Sequence, residues 1–275
     1  FIFSLGSKDI VKNLVFLTVF TKLEEAKFYF GDDSWDLSPI AALTGLKRLS
    51  ISGNEKLKGI SVLYGMPKLE ELKLKNLPQI KDLGFVNSMP NLFMLSLECC
   101  GVDDISAVRD NFVIQELEFI NCNKLYDVSA ISGVQNLKKL AFKTYNNNLI
   151  GESLSNLKLL DEVLIDSQLL GILEGNTAIS KLSVDISGEK FFSEPISSMV
   201  NLEEINFLNN SIKSDQEKLL FIISKLPKLK KVKGIDYTFY DSSIEELDLS
   251  ILFASNSIEE IIFPMDGDIE NDSAF

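Results

Sequence analysis

The pattern L-x-x-L-x-L, with other apolar residues in some leucine slots, recurs along nearly the whole chain and restricts its fold more tightly than any other feature. Its first apolar position falls at Leu23, Leu46, Leu69, Leu92, Ile114, Leu137, Leu160, Ile179, Leu202, Leu229 and Ile258, at intervals of 23, 23, 23, 22, 23, 23, 19, 23, 27 and 29 residues. Phe3 and Leu5 extend the frame one turn back, in the slots of Ala26 and Phe28. One such unit alone has nothing against which to bury its leucines. Successive units must therefore stack, strand beside strand, with the return segments on the opposite side. Alternation along a strand turns Leu49 and Ile51 inward and Arg48, Ser50 and Ser52 outward. Twelve turns at about 4.8 Å spacing amount to a sheet roughly 55 Å long.

Quoted in frame, the clearest units are LKRLSISGNEKLKGISVL, LEELKLKNLPQIKDLGFV, LFMLSLECCGVDDISAV and IQELEFINCNKLYDVSAI. Returns of the type Asp-apolar-Ser follow in DLSPIAAL (36–43), DISAV (104–108) and DVSAI (127–131). This core resembles the leucine-rich repeat, and the returns are similar to those of short-repeat bacterial internalins and phosphatase-regulating leucine-rich subunits. The resemblance implies an α/β fold: a leucine-rich-repeat solenoid, or horseshoe, of about 11–12 turns. A parallel concave β-sheet would face irregular or helical convex returns. One domain is expected over 1–275, with 1–30 as first turn or cap and 212–275 as longer helical repeats and C-terminal cap. The ladder asparagine of the family stands at Asn54 and Asn210, whereas Leu77, Cys100, Cys122 and Tyr145 fill other ladder slots. Ser214 to Glu217 and Ser242 to Glu245 have capping-box spacing in the two longest intervals, which predicts a helix in each, SIEELDL (243–249) included.

The two residues inside each L-x-x-L form a second pattern. They are Glu24-Glu25, Lys47-Arg48, Glu70-Glu71, Phe93-Met94, Gln115-Glu116, Lys138-Lys139, Asp161-Glu162, Ser180-Lys181, Glu203-Glu204, Lys230-Lys231 and Glu259-Glu260. Their charge alternates from turn to turn, as adjacent parallel strands require if neighbours are to attract. Phe93-Met94 breaks the alternation where a cationic pair is due. Local rules tend to break at functional sites, and exposed contiguous apolar surface marks recognition. In the same frame Ile120 points outward, flanked by Lys73, Lys75, Glu98 and Glu118, with Leu164 and Leu208 farther along. These residues are the candidate partner-binding patch: Phe93, Met94 and Ile120 at the centre and the charges as rim. The alternative is that Phe93 folds over a neighbouring turn and Met94 is incidental.

A formal charge of −13 opposes binding to nucleic acid or an anionic membrane. No apolar run approaches the roughly 18 residues of a membrane span. The opening FIFSLGSKDIVKNLVFLTVF carries Lys8, Asp9 and Lys12, unlike a signal peptide. With no histidine, Ser-His-Asp and Cys-His catalysis and His-based zinc sites are excluded within this chain. Cys99, Cys100 and Cys122 read as core or bystander thiols, with Cys99 pointing outward. No phosphate-binding glycine loop occurs, and MDGDIEND (265–272) lacks the central glycine and closing glutamate of a calcium loop. The sequon at Asn209 to Ser211 falls at a strand end and is expected to stay unmodified. The chain reads as a monomeric, cofactor-free, non-enzymatic module that recognises a protein, either in the cytoplasm or as a secreted effector. The other readings are the recognition segment of a bacterial surface adhesin or secreted effector with its active domain elsewhere, and a structural spacer.

Overall fold

The computed structural model describes residues 2–5, 13–144, 146, 148–186, 193–209, 216–235 and 249–263. The chain forms two compact units, Phe1–Leu137 with Thr144–Ile150, and Lys138–Lys143 with Gly151–Phe275. In the first, the L-x-x-L-x-L cores become parallel strands β1 (Ile2–Leu5), β2 (Glu25–Phe30), β3 (Arg48–Ser52), β4 (Glu71–Lys75), β5 (Met94–Glu98) and β6 (Glu116–Ile120). Each pairs with its sequence neighbour, and Arg48, Glu71, Met94 and Glu116 are successive register partners. The leucine columns therefore stack: Leu49, Leu72, Leu95 and Leu117 meet in register and are almost wholly buried. The first turn departs from the predicted frame, because Phe3 pairs with Phe28 and Leu5 with Phe30, two residues beyond Ala26 and Phe28. A shift of two preserves the inside–outside alternation, so hydrophobic patterning does not distinguish the registers.

Local chemistry ends each strand and opens each return. Asn76, Cys99 and Asn121, which follow β4, β5 and β6, have φ of 57°, 51° and 54°. Asparagine tolerates this left-handed conformation better than most residues, and Cys99 occupies the same place at some strain. The chain then passes through short 3-10 turns at Ser38–Ala42, Ile60–Gly65, Gly84–Ser88, Ser106–Val108 and Ser129–Gly133. The Asp-apolar-Ser motif works as a brace here. The carboxylates of Asp36, Asp104 and Asp127 accept the backbone N–H two residues on, from Ser38, Ser106 and Ser129, at 2.9, 2.7 and 2.9 Å. Asp82 does the same with Gly84 at 2.8 Å.

Asparagine also links consecutive turns. Asn54 Nδ2 donates to the carbonyls of Gly31 and Asp33, as the family ladder predicts. A second ladder was not read from the sequence. Asn91 and Asn136, each directly before the first apolar position of a repeat, donate to the carbonyls of Pro67 and Phe112, 24 residues back.

The second unit carries parallel strands β7 (Lys139–Lys143), β8 (Glu162–Asp166), β9 (Lys181–Asp185), β10 (Glu204–Leu208), β11 (Lys231–Lys233) and β12 (Glu260–Ile262), again paired in sequence order. Asn201 repeats the Asn91 bond, donating to Thr177 O at 2.7 Å. The two longest intervals contain the helices α1 (Gln216–Ser224), where the first capping box predicts one, and α2 (Ser250–Phe253), which begins only after the predicted 243–249 segment. At Gly234, with φ of 73°, a Cβ would run into the carbonyl of Phe207, so only glycine closes β11 there. Ser214 and Asp215, the whole of the second capping box and its 243–248 segment, Asn210, Ser211, Tyr145 and 265–272 lie outside the described residues. Among the described residues no helix is long and apolar enough to cross a membrane.

The braces make stability depend on acid. Hydrogen bonds from Ser38 and Ser129, side chain first and backbone second, lower the pKa of Asp36 and Asp127, and the backbone N–H of Ser106 leads for Asp104. A depressed carboxyl pKa contributes stability that is present above the unfolded value of about 3.9 and lost as pH falls through the folded one. Asparagine keeps the accepting oxygen and cannot titrate. The Asp36→Asn/Asp104→Asn/Asp127→Asn variant should therefore show a shallower fall of the urea midpoint than wild type as pH drops below about 4.

Candidate functional site

Strands β4, β5 and β6 place the predicted patch on one solvent-side grid. Its rows are Glu71–Met94–Glu116, Lys73–Ser96–Glu118 and Lys75–Glu98–Ile120, read across the three strands. Phe93 sits directly before β5, its amide N–H donating to Glu70 O at 2.9 Å, and Gln115 N–H repeats the bond onto Phe93 O at 2.8 Å. The stacked leucines beneath fix these positions, because side chains on a strand alternate strictly.

Exposure separates the members. Phe93 and Ile120 are half-buried and Lys73 and Lys75 are exposed. Met94 and Glu118 keep only 7% of their surface. Lys75 Nζ and Glu98 Oε1 form an ion pair at 2.7 Å, so part of the rim is internally neutralised. Leu164 belongs to the second unit and is 8% exposed. Phe93 and Ile120 thus carry the accessible apolar surface of the patch.

Among the described doublets of the first unit, only Glu24-Glu25 and Lys47-Arg48 pair as the alternation predicts. Lys47 bonds Glu24 at 3.1 Å and Arg48 bonds Glu25, through Nη2 at 3.1 Å and Nε at 3.2 Å. Arg48 lies in register with both Glu25 and Glu71, but its guanidinium fork closes on Glu25; Glu71 acts on it only through its field. Among the described residues, Glu70, Glu71 and Glu116 have no cation within ion-pair distance. In the second unit, Lys139–Glu162 at 3.3 Å, Lys230–Glu203 at 3.1 Å, Lys231–Glu260 at 2.7 Å and Lys233–Glu204 continue the ladder. Doublets of this second stretch, from Ser180 to Glu260, line an open groove of about 260 Å³.

Sequence reasoning missed a polar cluster in the second unit. Lys143, Asp166 and Asp185 each stand six residues after the first apolar position of their repeat, a spacing visible in the sequence. Asp166 and Asp185 are register partners, and both are buried. Lys143 Nζ reaches across β8 to Asp185 Oδ2 at 2.6 Å, where the carboxylate is fully buried, and Asn209 Nδ2 donates to both its oxygens at 3.2 and 3.1 Å. Breaking a buried pair costs far more than breaking an exposed one. Lys143→Met should lower unfolding free energy in urea by roughly 3 kcal/mol, whereas Lys47→Met should change it by about 1 kcal/mol or less.

The cysteines take the predicted places. Cys99 is exposed, while Cys100 and Cys122 are buried and donate to the carbonyls of Leu74 and Leu97 at 3.4 and 3.5 Å. Burial pushes their thiols up to about 12 and about 11. Alkylation requires thiolate. Iodoacetamide footprinting of the folded chain should label Cys99, with Cys100 and Cys122 reacting only after unfolding. Among the described residues, no group of three or more cysteine or acidic side chains is gathered to hold a metal ion.

This architecture is shared with known structures. An internalin from Listeria monocytogenes superposes with a TM-score of 0.51 at 18% identity, covering 89% of this chain and 75% of that one. A leucine-rich-repeat protein from Leptospira interrogans superposes with a TM-score of 0.58 at 15% identity, covering 90% of this chain and 68% of the other. No family model matches the sequence, and no curated protein does. The fold is the leucine-rich-repeat solenoid of the internalin-like type, with parallel strands and short helical returns.

Proposed function

We propose that this chain is a non-enzymatic recognition module that docks a protein partner on the outward, concave face of its strands. The observation that carries this reading is the Phe93-Met94 break, half-exposed phenylalanine on a strand platform where every other doublet of the repeat holds at least one charge. Binding on strands set by buried leucines loses little conformational entropy. Under this reading lysines at these positions would restore the ladder beside Glu70, Glu71 and Glu116, whereas the alternative role for the pair, packing across a turn, would make them destabilising. A second reading, the recognition segment of a bacterial surface adhesin or secreted effector, draws support from the likeness to the Listeria internalin fold.

Affinity capture with mass spectrometry identifies the partner, and Phe93→Lys/Met94→Lys tests the face. The variant should weaken the purified partner at least about tenfold, roughly 1.4 kcal/mol, with its urea midpoint equal to or above wild type. Unfolding of the variant assigns the pair to packing, and unchanged affinity moves the contact elsewhere.

A further inference from the structure

Within the first unit the break leaves an electrostatic deficit as well as an apolar residue. On either side of Phe93-Met94 stand Glu70-Glu71 and Gln115-Glu116, in register at one-strand spacing. Where the ladder has a cationic doublet, its ammonium or guanidinium groups hold a neighbouring strand's carboxylates at 3.1 Å, as Lys47 does with Glu24 and Arg48 with Glu25. Glu70, Glu71 and Glu116 have no such partner among the described residues, since Arg48 has turned to Glu25, Lys139 holds Glu162, and the doublet between Glu70-Glu71 and Gln115-Glu116 is apolar. The nearby cations do not compensate. Lys75 is engaged by Glu98, and Lys73 forms no ion pair among the described residues. Glu71 and Glu116 flank Met94 on adjacent strands, about 10 Å from one another, within the screening length of roughly 8–10 Å over which like charges still repel.

We infer that this slot takes a cationic protein segment: an apolar side chain set against Phe93, with Lys or Arg within a residue or two on both sides to reach Glu70-Glu71 and Glu116. The partner supplies the doublet that this turn lacks. The inference rests on the recognition reading above and deepens it by naming the partner's chemistry. Charge complementarity decides the occupant, because an acidic or neutral segment leaves three half-buried carboxylates facing one another. It also accounts for the apolar pair standing where the described doublet carboxylates of this unit lack cations.

The test uses the folded chain and three synthetic twelve-residue peptides, identical except for centres of Arg-Leu-Arg, Glu-Leu-Glu and Arg-Ala-Arg. Methyl-labelled methionine spectra follow Met94, and titration calorimetry follows affinity. The Arg-Leu-Arg peptide should shift the Met94 methyl and bind at least about tenfold tighter than either control, with affinity falling as salt rises from roughly 0.05 to 0.5 M. Glu70→Gln/Glu71→Gln/Glu116→Gln should abolish its preference over Glu-Leu-Glu, while Phe93→Lys/Met94→Lys should abolish its binding. An unmoved Met94 methyl, equal binding of Arg-Ala-Arg, or a preference that persists in the triple glutamine variant overturns the inference. The recognition reading fails separately: a purified partner that is lost with Phe93→Lys/Met94→Lys, beside peptides that do not bind, refutes only the cationic occupant. Loss of neither refutes the face itself.

Discussion

Each repeat presents leucines that it has no means of burying alone, and everything else follows from that need. Leu72 is shielded because Leu49 and Leu95 lie beside it in register, and each of those depends in turn on its own neighbour. A stack of this kind derives its stability from nearest-neighbour interfaces. It accordingly constrains inward positions strongly and outward ones weakly, which frees the outer face for charge.

Polar groups refine what the leucines impose. The Asp36, Asp104 and Asp127 braces satisfy the amides that open the returns, and Asn91, Asn136 and Asn201 tie each return to the turn before it. On the outer face, ion pairs link strands in register while contributing modestly, because most are half-exposed. The buried Lys143–Asp185 pair is a different case, and its weight lies in the second unit's strand ends.

Much of this was legible beforehand. Repeat spacing placed Glu71 beside Arg48, put Leu49 inside, and located the helix of the 27-residue interval. The Phe93-Met94 irregularity was visible as a break in alternating charge. The second asparagine ladder and the Lys143, Asp166, Asp185 column were also present in the spacing, but emerge only when every slot of the repeat is compared. The first-turn register was ambiguous in principle, since a two-residue slip keeps each side chain on its face.

By itself the sequence determined which positions point inward, which neighbours meet and where the charge pattern fails, because a period near 23 turns linear spacing into lateral contact. Tertiary structure alone decided how much of each outward side chain remains accessible and which of two equivalent carboxylates a cation chooses. Met94 and Glu118 close off while Phe93 and Lys73 do not, and Arg48 folds toward Glu25 and away from Glu71. Those outcomes depend on side-chain rotamers and on what packs over them, and a one-dimensional repeat leaves both free.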